Sequence, residues 1–284
     1  MALLDKRMQG LASDLSSSIA KLADGKVTPK NVHQLRTTIR RIESLITYAN
    51  PELGKKVERS VRKMADLRKR AGKVRDLDVQ VELLAVLGNG STARDKKILA
   101  ELLEKKRQRQ AERLVTAVKK VQDSKFFTRI QRIAGEFDQT KAEKVRPQAP
   151  LEEAKSQLGE MAKDFSEHQV IKVGRLHEAR ISLKKIRYLA EAAEESEAQK
   201  DFTRQLKIVQ DAIGDWHDWQ ELTATAEKRF SDRVNCALLR EVRALLAARH
   251  STATSSMNNL FVAATESRKP PHAAQPLRAF ARHA

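Results

Sequence analysis

One cysteine, Cys236, stands alone in 284 residues, so the chain can form neither an internal disulfide nor a cysteine-based metal site. That economy suits a reducing, cytoplasmic setting. Aromatic residues make up 4% of the chain, which argues against the stacking platforms that hold single-stranded nucleic acid. Ten glycines and seven prolines leave few places where a helix must stop. No uncharged run approaches the roughly 20 apolar residues that span a bilayer. The longest such run near the end, Ser251 to Thr265, is mostly Ser, Thr, Asn and Ala. Asp5, Lys6 and Arg7 interrupt the apolar pattern of the first residues, unlike a secretory leader. Glycine-rich phosphate loops, nucleophile-and-base arrangements and paired-carboxylate motifs are all missing, so the expectation is a protein that is not an enzyme.

What is abundant is positive charge. Fifty-five Lys and Arg face 37 Asp and Glu, a net charge of +18. Self-repulsion at that level works against compaction, and a polyanion commonly offsets it: nucleic acid, an acidic membrane surface or a phosphate polymer. The charge is uneven. Between Pro29 and Arg75 lie 14 Lys or Arg against four acids, so +10 of the +18 sits in 47 residues.

Helical periodicity dominates, and nothing alternates as a strand would. A first helix is expected from about Leu3 to Leu22, stopping near Asp24-Gly25. Thr28 caps a second, with Pro29 at its first position. Asn50-Pro51 repeats that device for a third, which ends at Gly72. A short helix from about Asp76 to Leu87 follows. Thr92 with Asp95 opens a long charged helix toward Lys125, which "FFTRIQRIAGEF" extends or follows. Residues 138–150, polar with two prolines, read as a linker between a first bundle (1–137) and a second (151–266). The second half restarts with helices at about Leu151–Glu167, Gly174–Glu194, Asp201–Ile213, Asp215–Arg229 and Arg233–Glu266. Residues 267–284, with three prolines, read as a disordered tail.

The halves repeat each other. "VHQLRTTIRRIESL" places His33, Arg36, Arg40 and Arg41 in one amphipathic run, and "RLHEARISLKKIRYLAE" places His177, Arg180, Lys184 and Lys185 at the same offsets. "GKVRDLDV" corresponds in the same way to "GDWHDWQE". His177 lies 144 residues after His33, and Asp218 lies 142 after Asp76. Two anchors agreeing this closely indicate an internal duplication, each half a helical bundle. On a helix, His33, Arg36 and Arg40 fall within about 60° of one another, opposite Val32, Leu35, Ile39 and Ile42. His177, Arg180, Lys184 and Arg187 likewise share a face opposite Leu176, Leu183 and Ile186.

A basic protein shows cations on the outer face of any surface helix, and for one helix that reading suffices. The duplication reverses the preference. Arg donates paired hydrogen bonds to phosphate and Lys acts as a point charge, so the mixture suggests many phosphate contacts. Arg59, Arg62 and Lys63, with Lys55 and Lys56, add charge on the next helix. Some of these are expected to widen the patch and others to be plain solvated residues.

The histidines do not make a metal site by pattern: no Glu-x-x-His precedes any of the seven, and no metal or cofactor is expected. His217-Asp218 resembles the His-Asp pair of metal-dependent phosphohydrolases, but the first copy has Arg75-Asp76 there. Asp76 and Asp218 are read instead as helix caps after Gly72 and Gly214, or as carboxylates that orient nearby arginines. Arg75 and His217 are then placed to reach an anion. Trp216 and Trp219 are read as packing residues.

The H-x-x-R-x-x-x-[RK]-[RK] runs at His33 and His177, each followed about 40 residues later by G-x-x-[RH]-D, resemble the CHAD domain, the conserved histidine α-helical domain. Four motifs in order carry the resemblance over roughly residues 3–265. It implies an all-α fold of two tandem bundles related by a pseudo-twofold, with basic helices facing a central groove or pore. It also implies binding of inorganic polyphosphate, and in some bacteria association with polyphosphate granules. The contacts it implies are His33, Arg36, Arg40, Arg41, His177, Arg180, Lys184, Lys185 and Arg187. Glu43 stands where the second copy has Arg187 and the family usually has a basic residue, so a looser grip by the first half is expected there. With no strands for an accompanying tunnel domain, the chain is similar to a stand-alone CHAD protein. The leading expectation is a cytoplasmic, non-enzymatic polyphosphate binder. Sequence-independent nucleic-acid binding is the less favoured rival, followed by a metal-dependent phosphohydrolase. Reversal of Arg36 with Arg180 is expected to weaken binding far more than reversal of Arg107 with Arg109.

Overall fold

A computed structural model describes residues 2–49, 55–88, 90–122, 125–136, 150–166, 173–233 and 235–266. Nine α-helices and no strand occur among them. In chain order they are α1 (Ala2–Ala23), α2 (Pro29–Ala49), α3 (Lys55–Val86), α4 (Ala93–Gln122), α5 (Phe126–Glu136), α6 (Pro150–Ser166), α7 (Val173–Ala190), α8 (Glu197–Arg229) and α9 (Ala237–Glu266). The expected linker, apart from Pro150, and the expected tail lie outside the described residues.

Local chemistry explains several boundaries. α1 ends at Gly25, whose φ of 80° suits the left-handed position of a helix C-terminus. There Lys26 N–H donates to Lys21 O and Gly25 N–H to Leu22 O, the paired bonds of a Schellman turn. Thr28 Oγ1 accepts from Asn31 N–H at 3.3 Å, capping α2 ahead of Pro29. Ser196 caps α8 through Gln199 N–H, and Gln199 Nε2 donates back to Ala190 O at the end of α7.

Two expected breaks do not occur. α3 runs unbroken through Gly72, and α8 through Gly214, so "Asp76–Leu87" is no separate helix and Asp201–Ile213 joins Asp215–Arg229. A helical glycine costs only about 1 kcal/mol, and burial of flanking residues such as Leu67, Val74, Ile213 and Trp216 outweighs it. Asp76 and Asp218 therefore sit inside helices and cap nothing.

Each half has its own core. The first gathers Leu15, Ile19, Leu35, Ile39, Met64, Leu114 and Phe126 from α1 to α5. The second gathers Leu158, Leu176, Leu183, Leu206, Trp216 and Met257 from α6 to α9. A third core belongs to both: Leu84, Leu87, Leu99 and Leu103 of the α3–α4 hairpin meet Trp219, Leu222, Phe230 and Leu238 of the α8–α9 hairpin. The halves thus interlock. Arg7 of α1 strengthens the join by donating to Glu191 O at 2.5 Å and Ala193 O at 2.7 Å, satisfying carbonyls beyond the end of α7. Equivalent helices pack against one another across the join, α2 on α7 and α3 on α8, and this brings the two basic runs together.

Candidate functional site: a cationic cavity between the halves

The apolar stripes of α2 and α7 face their own cores, and this turns the cationic stripes toward the seam. Leu35, Ile39 and Ile42 are fully buried on one side of α2, and Leu176 and Leu183 on one side of α7. Between them opens a cavity of about 900 Å³. Arg36 and Arg40 line it from α2, and His177, Arg180, Lys184 and Lys185 from α7. His217 of α8 lies at its wall, its ring 5.3 Å from that of His177. α3 adds Arg68, Lys69, Arg70 and Lys73, and α4 adds Arg113. Ten Lys or Arg against three acids therefore line one space.

The three acids are engaged. Glu43 pairs with Arg68 at 2.7 Å, Asp66 with Arg70 at 2.8 Å, and Asp76 lies 3.8 Å from Arg36. Asp76 is thus the orienting carboxylate, the second of its two expected roles. Gly72 has a related function, because a Cβ there would come 2.5 Å from Arg36 Nη1. The missing side chain gives the guanidinium room against α3. Its counterpart Gly214 faces open space.

Crowding is visible in proton affinity. Burial, then Arg180, Arg40 and Arg36, bring the Lys184 amine down to about 6 despite Asp218 nearby. Burial also lowers Arg36 to about 10, with Asp76 opposing and Arg40 and Arg180 reinforcing the shift. Arg180 shifts down by burial, opposed by Asp218. His217 falls to about 3 through burial and then Arg180. Burial pushes Asp218 up to about 6 against the pull of Arg180 and Lys184. Arg180 Nε and His217 Nδ1 are buried with no hydrogen-bond partner among the described residues. The arrangement favours an anion, whose charge would offset every cationic repulsion at once.

The remaining expected contacts lie elsewhere. His33 is largely open to solvent, and partial desolvation, then Arg75, Arg36 and Lys184, lowers its proton affinity. Arg75 pairs with Glu82 at 3.2 Å. Arg41 and Arg187, from opposite halves, share Glu191 at 3.0 and 3.2 Å and close the seam beside Tyr188. Arg59, Arg62 and Lys63 do not reach the cavity; they line a separate groove between α3 and α4. Trp216 and Trp219 are 2% and 3% exposed and pack in the cores. Sequence reasoning missed Arg68, Lys69, Arg70, Lys73 and Arg113, because α3 and α4 carry cations on nearly every face. Arg107, half of the less sensitive charge-reversal pair expected from sequence, is structural: it makes a 2.5 Å bond to Asp78, whose side chain is 1% exposed, and also donates to Val27 O.

Fold and site together define an all-α protein with a cationic cavity between two helical cores. A family model described as the CHAD domain matches residues 9–227, and the chain belongs to that family. Its fold resembles the crystal structure of the CHAD domain from the plant Ricinus communis, with a TM-score of 0.67 and 18% identity over 94% of this chain and 92% of that one. It also resembles PptA from Streptomyces chartreusis, with a TM-score of 0.55 and 15% identity over 91% and 99% of the two chains. No curated protein matches significantly. Among the described residues, no helix is long and apolar enough to cross a membrane, and no group of three His, Cys, Asp or Glu is arranged to hold a metal.

Proposed function

We propose that the chain binds inorganic polyphosphate in the cavity between its halves, without catalysing its turnover. The observation that carries this reading is the convergence of Arg36, Arg40, Arg180 and Lys184, from two halves, on one space with too few carboxylates to neutralise them. A flexible polymer with a charge on every unit offsets such crowding more completely than a single anion does. Nucleic acid is the weaker candidate: Tyr188 is the one aromatic residue among the cavity-lining residues apart from the histidines, and base stacking needs more. The reading extends to association with polyphosphate granules in the cytoplasm.

Competition tests it. Labelled long-chain polyphosphate is bound at physiological salt and displaced by unlabelled polyphosphate, duplex DNA or heparin at matched charge. Polyphosphate is expected to compete about tenfold better, or about 1.4 kcal/mol. Equal competition would leave only general polyanion attraction. Reversing Arg36 and Arg180 to Glu should abolish that advantage, with the exposed pair Lys105 and Arg109 as the charge-matched control, since Arg107 is structural. Incubation with polyphosphate should release no orthophosphate. A tagged chain that stays diffuse in cells rich in granules would count against the granule association.

A further inference from the structure

The second groove, about 490 Å³ between α3 and α4, is rimmed by Arg59, Arg62 and Lys63 on one side and Arg113 and Lys120 on the other. It adjoins the central cavity: Asp66, Arg70 and Arg113 line both. Arg62 has Glu58 as a partner and Arg70 has Asp66. Arg59, Lys63, Arg113 and Lys120 have no acidic partner among the described residues.

The fold does not require this charge. At the repeat offset of 142, the second half places Asp201, Arg204, Gln205, Ile208 and Ala212 where the first has Arg59, Arg62, Lys63, Asp66 and Arg70. There Arg204 is neutralised by Asp201 at 2.6 Å. The opposing helix of that half, α9, carries no charged residue from 251 to 265, whereas its counterpart α4 carries Arg113, Lys119 and Lys120 in the matching turns. Both hairpins fold alike, so the cations of the α3–α4 groove serve something other than the hairpin.

We propose that this groove is an exit track: a long polyphosphate chain leaves the cavity past Arg70 and Arg113 and continues along Arg59, Lys63 and Lys120 on the first half alone. The proposal rests on the cavity being the polyphosphate site, and it adds that the protein selects long chains over short ones. A chain confined to the cavity gains nothing from the track, while a longer one gains a further set of phosphate contacts.

The test is the full chain carrying Arg59→Gln, Lys63→Gln and Lys120→Gln, titrated with tripolyphosphate and with long-chain polyphosphate across a salt series. Three lost contacts at about 0.7 each should lower the log–log salt slope for the long chain by about 2 and weaken its binding by about tenfold or more. Tripolyphosphate binding should stay unchanged. Unaltered long-chain binding overturns the track and leaves the cavity reading standing. An equal loss for both probes overturns it too, since the three cations would then act only through the general field. If the unsubstituted chain binds neither probe, the cavity reading falls and takes the track with it.

Discussion

Lys184→Met should make the protein more stable, by an amount that shrinks as pH rises. The Lys184 amine lies among Arg36, Arg40 and Arg180, with Asp218 its one near carboxylate, and its pKa falls from 10.5 to about 6. Between those values the unfolded chain holds a proton that the folded chain lacks. Folding there releases a proton, and stability rises with pH by about 1.36 kcal/mol per unit. The burden is greatest below about pH 6 and disappears above about pH 10.5. Methionine fills a similar volume and carries no such linkage. At about pH 7 the lysine therefore costs about 5 kcal/mol relative to its neutral form, and at about pH 9 about 2 kcal/mol. Urea unfolding of both proteins at these two pH values measures the gap. Titrating groups that Lys184 does not perturb cancel in the comparison. The gap should narrow by about 2.7 kcal/mol from the lower to the higher pH. Parallel stability profiles would show that Lys184 keeps its proton in the folded chain, and the electrostatic account of the cavity would fail.

The same crowding predicts that polyphosphate recharges the amine: binding should take up close to one proton per site at about pH 7.5 and tighten as pH falls toward about 6. Calorimetry in buffers of different ionisation enthalpy reads that uptake, and buffer-independent heats would contradict it. Arg107→Ala should destabilise by about 3 kcal/mol, because it leaves Asp78 buried without its partner, whereas Arg109→Ala should change stability by less than about 0.5 kcal/mol. Urea midpoints distinguish the two. Gly214→Ala should gain up to about 1 kcal/mol of helix stability with binding unchanged. Gly72→Ala should displace the Arg36 guanidinium and weaken polyphosphate binding by roughly tenfold, the worth of one charge-assisted contact. Identical behaviour of the two glycine variants would refute the role given to Gly72.

Much of this was written in local sequence, because helix periodicity, caps and repeats are properties of neighbouring residues. The all-α class, the Thr28 cap ahead of Pro29, and the opposed apolar and basic stripes of α2 and α7 follow from spacing alone. So does the duplication, and with it the pairing of His33 with His177 and Asp76 with Asp218. The central cations Arg36, Arg40, Arg180 and Lys184 were legible because a stripe repeated at one register cannot easily be accidental.

Only the tertiary structure decided which charges meet. Gly72 and Gly214 look like stops, yet packing on both sides carries the helices through them. The third core joins Leu84 and Leu99 to Trp219 and Phe230, residues more than a hundred positions apart, and no local pattern announces it. Arg7, Arg41 and Glu191 read as ordinary surface charges until the halves are docked, and Arg107 does so until α4 packs on α3. Then they become ties between carbonyls, carboxylates and helix ends. On α3 and α4 cations occur all round, so sequence could not say that Arg68 and Lys73 face the cavity while Arg59 and Lys63 face the groove. Periodicity tells which side of a helix is buried; the neighbour that each exposed side chain meets is set by how distant helices pack.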